Sequence, residues 1–431
     1  MKKAVGIGLL GLGTVGRGVA EVLAGRAQGL AEKAGVPLVL KKVLVRDVRK
    51  RRPAKTSLDL LTDQPDEVLS HPDVDIVVEL IGGERPAKAY IERAVTGGKH
   101  VVTANKELMA KYGHQLLSLA GKHNICLRYE ASVGSGIPLI SAFQHDLAAN
   151  RITAIRAILN GTTNYILSRM AREGLDFTST LKQAQGLGYA EADPANDIDG
   201  TDAAYKLVIL SNLAFGGRFV PQDVYCEGIS KIAARDFAYA REFGYAIRLL
   251  AIARRDDDEV EMRVHPVFVP QNSQLAKIDG VYNAVEVETD LAGTLIFCGE
   301  GAGAVRASSA VVGDVLAIAR NIRCGITNDT PRLRRDSHVT VKPMPELKTR
   351  YYLRLNAPDR PGVLSQISRV LGDNLISIAS VIQREIDPKA QTAVIVIMTY
   401  PAEERLMQKA LHELEQLSVV NEVSNCIRVE E

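Results

Sequence analysis

Tryptophan is absent from the 431 residues and aromatic side chains make up 5%, so packing falls to Leu, Ile, Val and Ala within an ordinary hydrophobic content of 46%. Excess charge is also lacking. A formal net charge of +2 argues against nucleic acid or a membrane as the principal partner. Cysteine is sparse: Cys126, Cys226, Cys298, Cys324 and Cys426 are scattered and odd in number, and no CxxC pair occurs. Neither a disulfide framework nor a zinc site is signalled, and free thiols in a reducing cytoplasm are expected. The N-terminal stretch lacks an unbroken apolar run. Glycines and Arg17 interrupt it, so it reads as a folded strand and turn, not a signal peptide.

What is present begins at residues 5–10, a short apolar run suited to a buried parallel strand. Gly11-Leu12-Gly13-Thr14-Val15-Gly16 follows, then a helical pattern over 18–30. GxGxxG between strand and helix is a dinucleotide fingerprint. Gly11 permits the tight turn, Gly13 lets backbone approach a pyrophosphate at the helix N-terminus, and Gly16 lets helix and strand pack closely. A glycine-rich turn without a ligand is the simpler alternative. A second strand, 38–45, ends at Arg46-Asp47. Arg46 suits a 2′-phosphate and hence NADP, while Asp47 keeps NAD open. The basic run Lys50 to Arg52 is expected to be solvated. Strands follow over 75–80 and 100–103, with a helix over 84–98 between them. Lys106 stands beyond the carboxyl end of the latter strand, where open α/β sheets bind ligands. It also precedes a helix over 107–122, whose dipole disfavours a merely solvated cation there.

Residues 127–140 read as a strand carrying Glu130, then a Gly/Ser loop whose carbonyls, with one carboxylate, suit a monovalent cation; a domain hinge is the simpler alternative. A strand over 152–159 leads through the polar loop 160–165 into a helix. The segment 185–207 concentrates the chemistry. It opens as an acidic, glycine-broken loop and becomes a helix, with Asp199 or Thr201 able to cap its start. Asp202 and Lys206, four apart, share a helix face, and Glu191 approaches it from the loop. Carboxylates around a lysine can hold a polar substrate and move a proton. The alternative is a surface ion pair contributing ~0.3–0.5 kcal/mol. Helices over 229–251, a solvated turn over 254–259 and strands over 260–269, 281–289 and 295–298 suggest an antiparallel sheet. Gly299 to Gly303 opens a small-residue helix able to close on a cofactor. A linker over 328–348 precedes a βαββαβ unit of the ferredoxin-like type, suited to binding or assembly.

With these motifs placed, the chain resembles homoserine dehydrogenases that carry a C-terminal ACT domain. The resemblance spans essentially the whole length through GLGTVG, DIVVELIGG, VVTANK, EASVGSGIP, LNGTTNYIL, LGYAEADPANDIDGTDAAYKL, GEGAGAVRASSAVVGD and DRPGVL. The block from Gly188 to Lys206 is the most specific, whereas GLGTVG and DRPGVL recur in many unrelated chains. The resemblance implies an α/β chain. A Rossmann domain spans 1–130 plus the helix 302–325, an α+β substrate and dimerisation domain 131–301, a linker 326–348, and a regulatory ACT domain 349–431. It implies a monofunctional, cytoplasmic enzyme that reversibly reduces L-aspartate 4-semialdehyde to L-homoserine with NADPH or NADH, on the route to threonine, methionine and isoleucine.

Cofactor contacts carry over to Gly11–Gly16, including Leu12, Thr14 and Val15, and to Thr103, Lys106 and Gly303. Substrate contacts carry over to Lys106, Glu191, Asp202 and Lys206, with Lys206 the proton donor and Asp202 favouring its charged form. A sodium or potassium ion is implied at Glu130 and the carbonyls of Val133, Ser135 and Ile137; Ser135 stands where related chains often have Gly. Threonine is implied as effector near Asn374 and the turn after Asp359, and a homodimer or homotetramer as the assembly. Two rivals differ in class. A thioester-forming semialdehyde dehydrogenase needs a cysteine activated by a base. A non-enzymatic nucleotide and amino-acid sensor leaves Lys106, Glu191, Asp202 and Lys206 unexplained together.

Overall fold

The computed structural model describes residues 2–50, 57–328, 338–387 and 391–430. The chain divides into two compact units. The first comprises Met1–Thr153, Tyr205–Gln222 and Val287–Val339, and the second Ala154–Ala204, Asp223–Glu286 and Thr340–Glu431.

The first unit is built on β1 (Val5–Leu10), β2 (Leu38–Leu44), β3 (Leu61–Thr62), β4 (Ile76–Glu79), β5 (His100–Thr103) and β6 (Leu127–Arg128). They form one parallel sheet in the order β3-β2-β1-β4-β5-β6. Every residue of β1 and β4 is buried, which is why these strands read as continuous apolar runs. Strand order reverses between β1 and β4, so the ligand crevice of a doubly wound sheet opens at their carboxyl ends. The helix Ala304–Cys324 returns from far along the chain. Its Val311, Val315 and Ile318 enter the same core as Val5, Ile7 and Val19. Contact with the first helix, Thr14–Gly25, is so close that a Cβ on Gly18 lies 2.3 Å from Ser308 Oγ.

Three local expectations change here. The helical run over 18–30 is two helices, Thr14–Gly25 and Ala27–Ala34, parted at Arg26. The helix expected over 84–98 is Ala87–Thr96, beginning after Pro86, whose ring sets the entry. β6 is only two residues long, so Glu130 lies on the single turn Glu130–Ser132 and not on a strand.

In the second unit β7 (Ile152–Ile158) pairs antiparallel with β9 (Tyr245–Asp256), and β9 with β10 (Glu259–Pro270), which also takes the short β8 (Tyr225–Cys226). The hairpin strands β11 (Tyr282–Thr289) and β12 (Gly293–Glu300) carry the chain back to the first unit. After β13 (Thr340–Val341), the C-terminal βαββαβ consists of β14 (Lys348–Pro358), β15 (Ile378–Asp387), β16 (Thr392–Thr399), the short β17 (Ala402–Glu403) and β18 (Glu422–Val429), with helices Val363–Asp373 and Glu404–Glu415. It extends the same sheet: β18 runs parallel to β10 through Val267↔Arg428 and Phe268↔Val429, and β14, β16 and β15 follow outward.

The helices expected over 229–251 shrink to Ala234–Glu242, because Tyr245 onward is strand. That segment is rich in Ala, Leu and Arg, good helix formers, yet β10 pairs with all twelve of its residues and Ile247 to Ala253 are buried. The solvated turn expected over 254–259 is correspondingly reduced to Asp257 and Asp258 between the two strands.

Buried polar groups fasten the C-terminal strands to this sheet. The Glu430 carboxylate accepts from Arg156 at 2.9 Å, Arg254 at 2.7 Å and Arg263 at 2.9 Å. Asp236, wholly buried, accepts from Tyr352 at 2.9 Å, Arg354 at 2.7 Å and Asn425 at 2.9 Å. Among the described residues no helix is long and apolar enough to cross a membrane.

Candidate active site

At the strand reversal of the first unit lies a cleft of about 650 Å³, bordered by Gly11, Leu12, Gly13, Thr14, Arg46, Asp47, Leu80 and Ile81 among others. Gly11 has φ +100°, and a Cβ on Gly16 lies 2.2 Å from Gly11 O. A Cβ on Gly13 meets nothing within 4 Å. Gly11 thus makes the turn, Gly16 lets helix and turn pack, and Gly13 leaves open space above the helix start. No side chain caps that helix, so its first amides face the cleft unpaired by an N-cap, a fitting seat for a pyrophosphate. The donor set therefore suits a dinucleotide. Arg46, Asp47 and Lys50 all border the cleft; Lys50 is exposed there, while Arg51 and Arg52 lie outside the described residues.

Other expected cofactor residues take different positions. Val15 packs against the hydrophobic core, and Gly303, with φ +115°, precedes the helix Ala304–Cys324. Thr103 ends β5, fully buried, and its hydroxyl donates to Glu79 Oε2 at 2.6 Å. Lys106 is the first residue of the helix Lys106–Lys122, which Asn105 Oδ1 caps by accepting the Leu108 amide at 3.0 Å. One turn on, Lys111 donates to Glu84 at 2.5 Å and Glu107 at 2.7 Å. These bonds hold its pKa above the ordinary lysine range. Its ammonium also stands 5.6 Å from the Tyr205 ring, so it ties the turn at Glu84 and the Lys106 helix to the residue preceding Lys206.

Glu130 accepts the amides of Ile140 at 2.9 Å and Ser141 at 2.8 Å, orphan donors at a helix start. Its carboxylate has lone pairs beyond these two bonds. No hydrogen bond to the carbonyls of Val133, Ser135 and Ile137 is seen among the described residues. Among those residues no group of three or more His, Cys, Asp or Glu is placed to hold a metal, which leaves the Glu130 carboxylate and the expected carbonyl oxygens as donors for a cation. That donor set suits a hard cation.

In the second unit the loop at 160 turns inward. Asn160 Oδ1 accepts the Thr163 amide at 2.9 Å and caps the helix Gly161–Glu173. Its Nδ2 donates to Asp197 at 2.7 Å and to Asp202 Oδ2 at 2.9 Å. The acidic loop contains a short helix, Ala195–Ile198, whose C-cap is Asp199; Gly200, at φ +85°, separates it from the next helix, Thr201–Phe215. On that helix Asp202 and Lys206 are one turn apart and buried, 3% and 8% exposed. A solvated ion pair is thereby excluded. Glu191 is exposed, with its carbonyl accepting from Gln185 at 3.1 Å. Sequence reasoning missed Glu79, Lys111 and the role of Asn160. The one available signal was an acid at the end of an otherwise apolar buried strand.

Neither Cys226 nor Cys426 has the environment of an activated nucleophile. Burial pushes the Cys226 thiol up to about 11 and that of Cys426 to about 12, opposite to activation. In the C-terminal βαββαβ Asn374 is 2% exposed and donates to Val370 O at 2.9 Å and Glu413 at 2.7 Å, while its Oδ1 has no hydrogen-bond partner among the described residues.

A family profile described as homoserine dehydrogenase matches residues 138–316, and the NAD-binding domain of homoserine dehydrogenase matches 11–130. Homoserine dehydrogenase of Neisseria gonorrhoeae is 43% identical over 432 residues, covering 99% of each chain. The chain belongs to the homoserine dehydrogenase family. A Bacillus subtilis homoserine dehydrogenase is 38% identical, again over 99% of each chain. The crystal structure of a homoserine dehydrogenase from Thiobacillus denitrificans superposes with a TM-score of 0.92 at 41% identity, over 100% of this chain and 99% of that one. A hyperthermophilic archaeal homoserine dehydrogenase in complex with NADPH superposes with a TM-score of 0.62 at 27% identity, over 77% of this chain and 100% of that one. An ACT domain matches 351–419, within the C-terminal βαββαβ. The protein is accordingly an oxidoreductase of this family with a nicotinamide-binding Rossmann domain and a C-terminal ACT domain.

Proposed function

We propose that the protein interconverts L-aspartate 4-semialdehyde and L-homoserine with NADP or NAD, in the biosynthesis of threonine, methionine and isoleucine. The observation that carries this is the 43% identity with a homoserine dehydrogenase across 99% of both chains. A nicotinamide cofactor held in the cleft would supply or take the hydride. As negative charge grows on the aldehyde oxygen, Lys206 stabilises it and gives it a proton. Asp202, fixed by Asn160, shares Lys206's helix face and stabilises the ammonium. Lys106 holds the substrate beside the cofactor, and Glu191 receives the substrate's amino group.

Gly11 to Gly16, Arg46, Thr103, Lys106 and Gly303 form the cofactor site. Arg46 at the cleft, together with the NADPH of the archaeal relative, supports NADP as the cofactor. Glu130 with the carbonyls of Val133, Ser135 and Ile137 takes sodium or potassium as a structural ion. We assign the Rossmann domain to 1–130 with the helix 302–325, the substrate and dimerisation domain to 131–301, the linker to 326–348 and the ACT domain to 349–431. The last binds threonine as feedback effector in a cytoplasmic homodimer or homotetramer.

The test is homoserine-dependent reduction of NADP and of NAD at alkaline pH, with and without threonine. Turnover with either cofactor supports the reaction, their ratio reports what Arg46 does, and inhibition by threonine assigns the ACT domain its role. Folded protein that binds nucleotide yet turns over neither cofactor overturns the reading in favour of a sensor.

A further inference from the structure

We propose that Glu79 is a positioning residue of the cofactor cleft, one that fixes both the cleft's Leu80–Ile81 wall and the helix start carrying Lys106. The proposal rests on the nicotinamide-binding reading of that cleft. Glu79 is the last residue of β4 and is 0% exposed. Its Oε1 accepts the amides of Ile81 at 2.7 Å and Gly82 at 3.2 Å, and its Oε2 accepts the Thr103 hydroxyl at 2.6 Å. Thr103 Oγ1 in turn accepts the Asn105 amide at 3.1 Å, and Asn105 Nδ2 donates to Gly83 O at 2.7 Å. These bonds close a circuit through the end of β4, the turn after it, the end of β5 and the cap of the Lys106 helix.

Leu80 packs against the core, but the two glycines of the turn gain no support from packing. Gly82 and Gly83 have φ of +78° and +68°, and a Cβ on either meets nothing within 4 Å. The two residues immediately before them, Leu80 and Ile81, border the cleft. A buried carboxylate with three donors aimed at it therefore fixes the wall from Ile81 onward, where core packing ends. The Thr103 hydroxyl proton is already given to Glu79, so that hydroxyl has no proton left to donate to a cofactor. Glu79 itself needs no contact with the cofactor; it acts through the residues it holds.

The experiment compares wild type, Glu79→Ala, Glu79→Gln and Thr103→Val in the full-length protein by three measurements. They are NADPH affinity from nucleotide fluorescence, amide hydrogen exchange across residues 80–83, and kcat with saturating NADPH. Glu79→Ala is expected to raise the NADPH dissociation constant about tenfold or more, with a smaller loss in kcat, and to speed exchange at Ile81 and Gly82. Glu79→Gln, which still accepts the two amides, is expected to recover most of that affinity. Thr103→Val leaves those two amide bonds in place but breaks the link to Asn105, and is expected to fall between.

Folded Glu79→Ala with an NADPH dissociation constant within about twofold of wild type overturns the proposal. If Glu79→Ala does not fold, Thr103→Val decides: unchanged affinity together with unchanged exchange at 80–83 overturns it equally. Wild-type turnover of homoserine tests the enzymatic reading separately, so the two fail on different measurements.

Discussion

In the proposed mechanism a protonated lysine at position 206 serves reduction of the aldehyde, and the same side chain must be neutral to take the proton back in oxidation. Lys206→Ala is therefore expected to lower turnover by about 10²–10⁴ while the NADPH dissociation constant stays within about threefold. Oxidation by the wild type should quicken as pH rises. Steady-state kinetics beside a nucleotide titration checks both; near-normal turnover in the variant removes Lys206 from the chemistry. Glu191→Ala is expected to raise the Michaelis constant for homoserine about tenfold with a smaller fall in kcat, because an exposed carboxylate that meets an ammonium contributes to binding before chemistry. An unchanged Michaelis constant argues against that role. The shared helix face of Asp202 and Lys206 was legible in the sequence because it is local, one helical turn. The part played by Asn160 was not. Its acceptors lie 37 and 42 residues away, and a polar loop residue looks the same from the sequence whether it faces substrate or caps a helix. Glu79 was illegible for a related reason: its donors include two amides that become visible only once the turn is built.

At the scale of elements, two glycines of one motif should respond oppositely to the same methyl group. Gly16→Ala places a Cβ 2.2 Å from Gly11 O, so the turn or the helix has to shift. A loss of about 1–3 kcal/mol is expected, read as a lower thermal midpoint without nucleotide. Gly13→Ala has φ −73° and open space within 4 Å, so its thermal midpoint without nucleotide should match wild type, while its NADPH affinity falls because the methyl occupies the cleft. Equal midpoints for the two variants sink the argument that Gly16 is a packing glycine. Those roles follow from strand, turn and helix in sequence, which is why the Rossmann half was readable. β9 was not. Its residues favour a helix singly, and only the twelve-residue pairing with β10, a tertiary fact, makes them strand.

The whole molecule should lose stability in acid from two sources with different onsets, both set within the second unit. His265, 1% exposed on β10, faces Tyr225 at 6.3 Å between ring centroids, and the Arg263 and Arg428 cations act on it. Burial, then Arg428 and Arg263, hold its pKa well below the ordinary 6.5, although Nδ1–H donates to Pro266 O at 2.9 Å. The folded protein keeps this ring neutral while the unfolded chain protonates it. The unfolded state therefore binds more protons, and stability, complete above the ordinary 6.5, falls as pH drops below it, by up to about 1.4 kcal/mol per pH unit. Glu404 and Glu430 act lower. Burial raises both, but Arg428 outweighs it at Glu404, and Arg263, Arg254 and Arg156 at Glu430, so both carboxyls lie below the ordinary 4.5. Their contribution is complete above 4.5 and is lost as pH falls through their lowered values. His265→Asn keeps a donor near Nδ1 but cannot titrate. Thermal midpoints of this variant should therefore stay flat between about pH 6.5 and 5, where the wild type declines, and both proteins should decline below about pH 4.5. A variant that follows the wild type through the upper range shows that His265 is not its source. A flat profile through the lower range removes the carboxylate clamps as the source of the second loss.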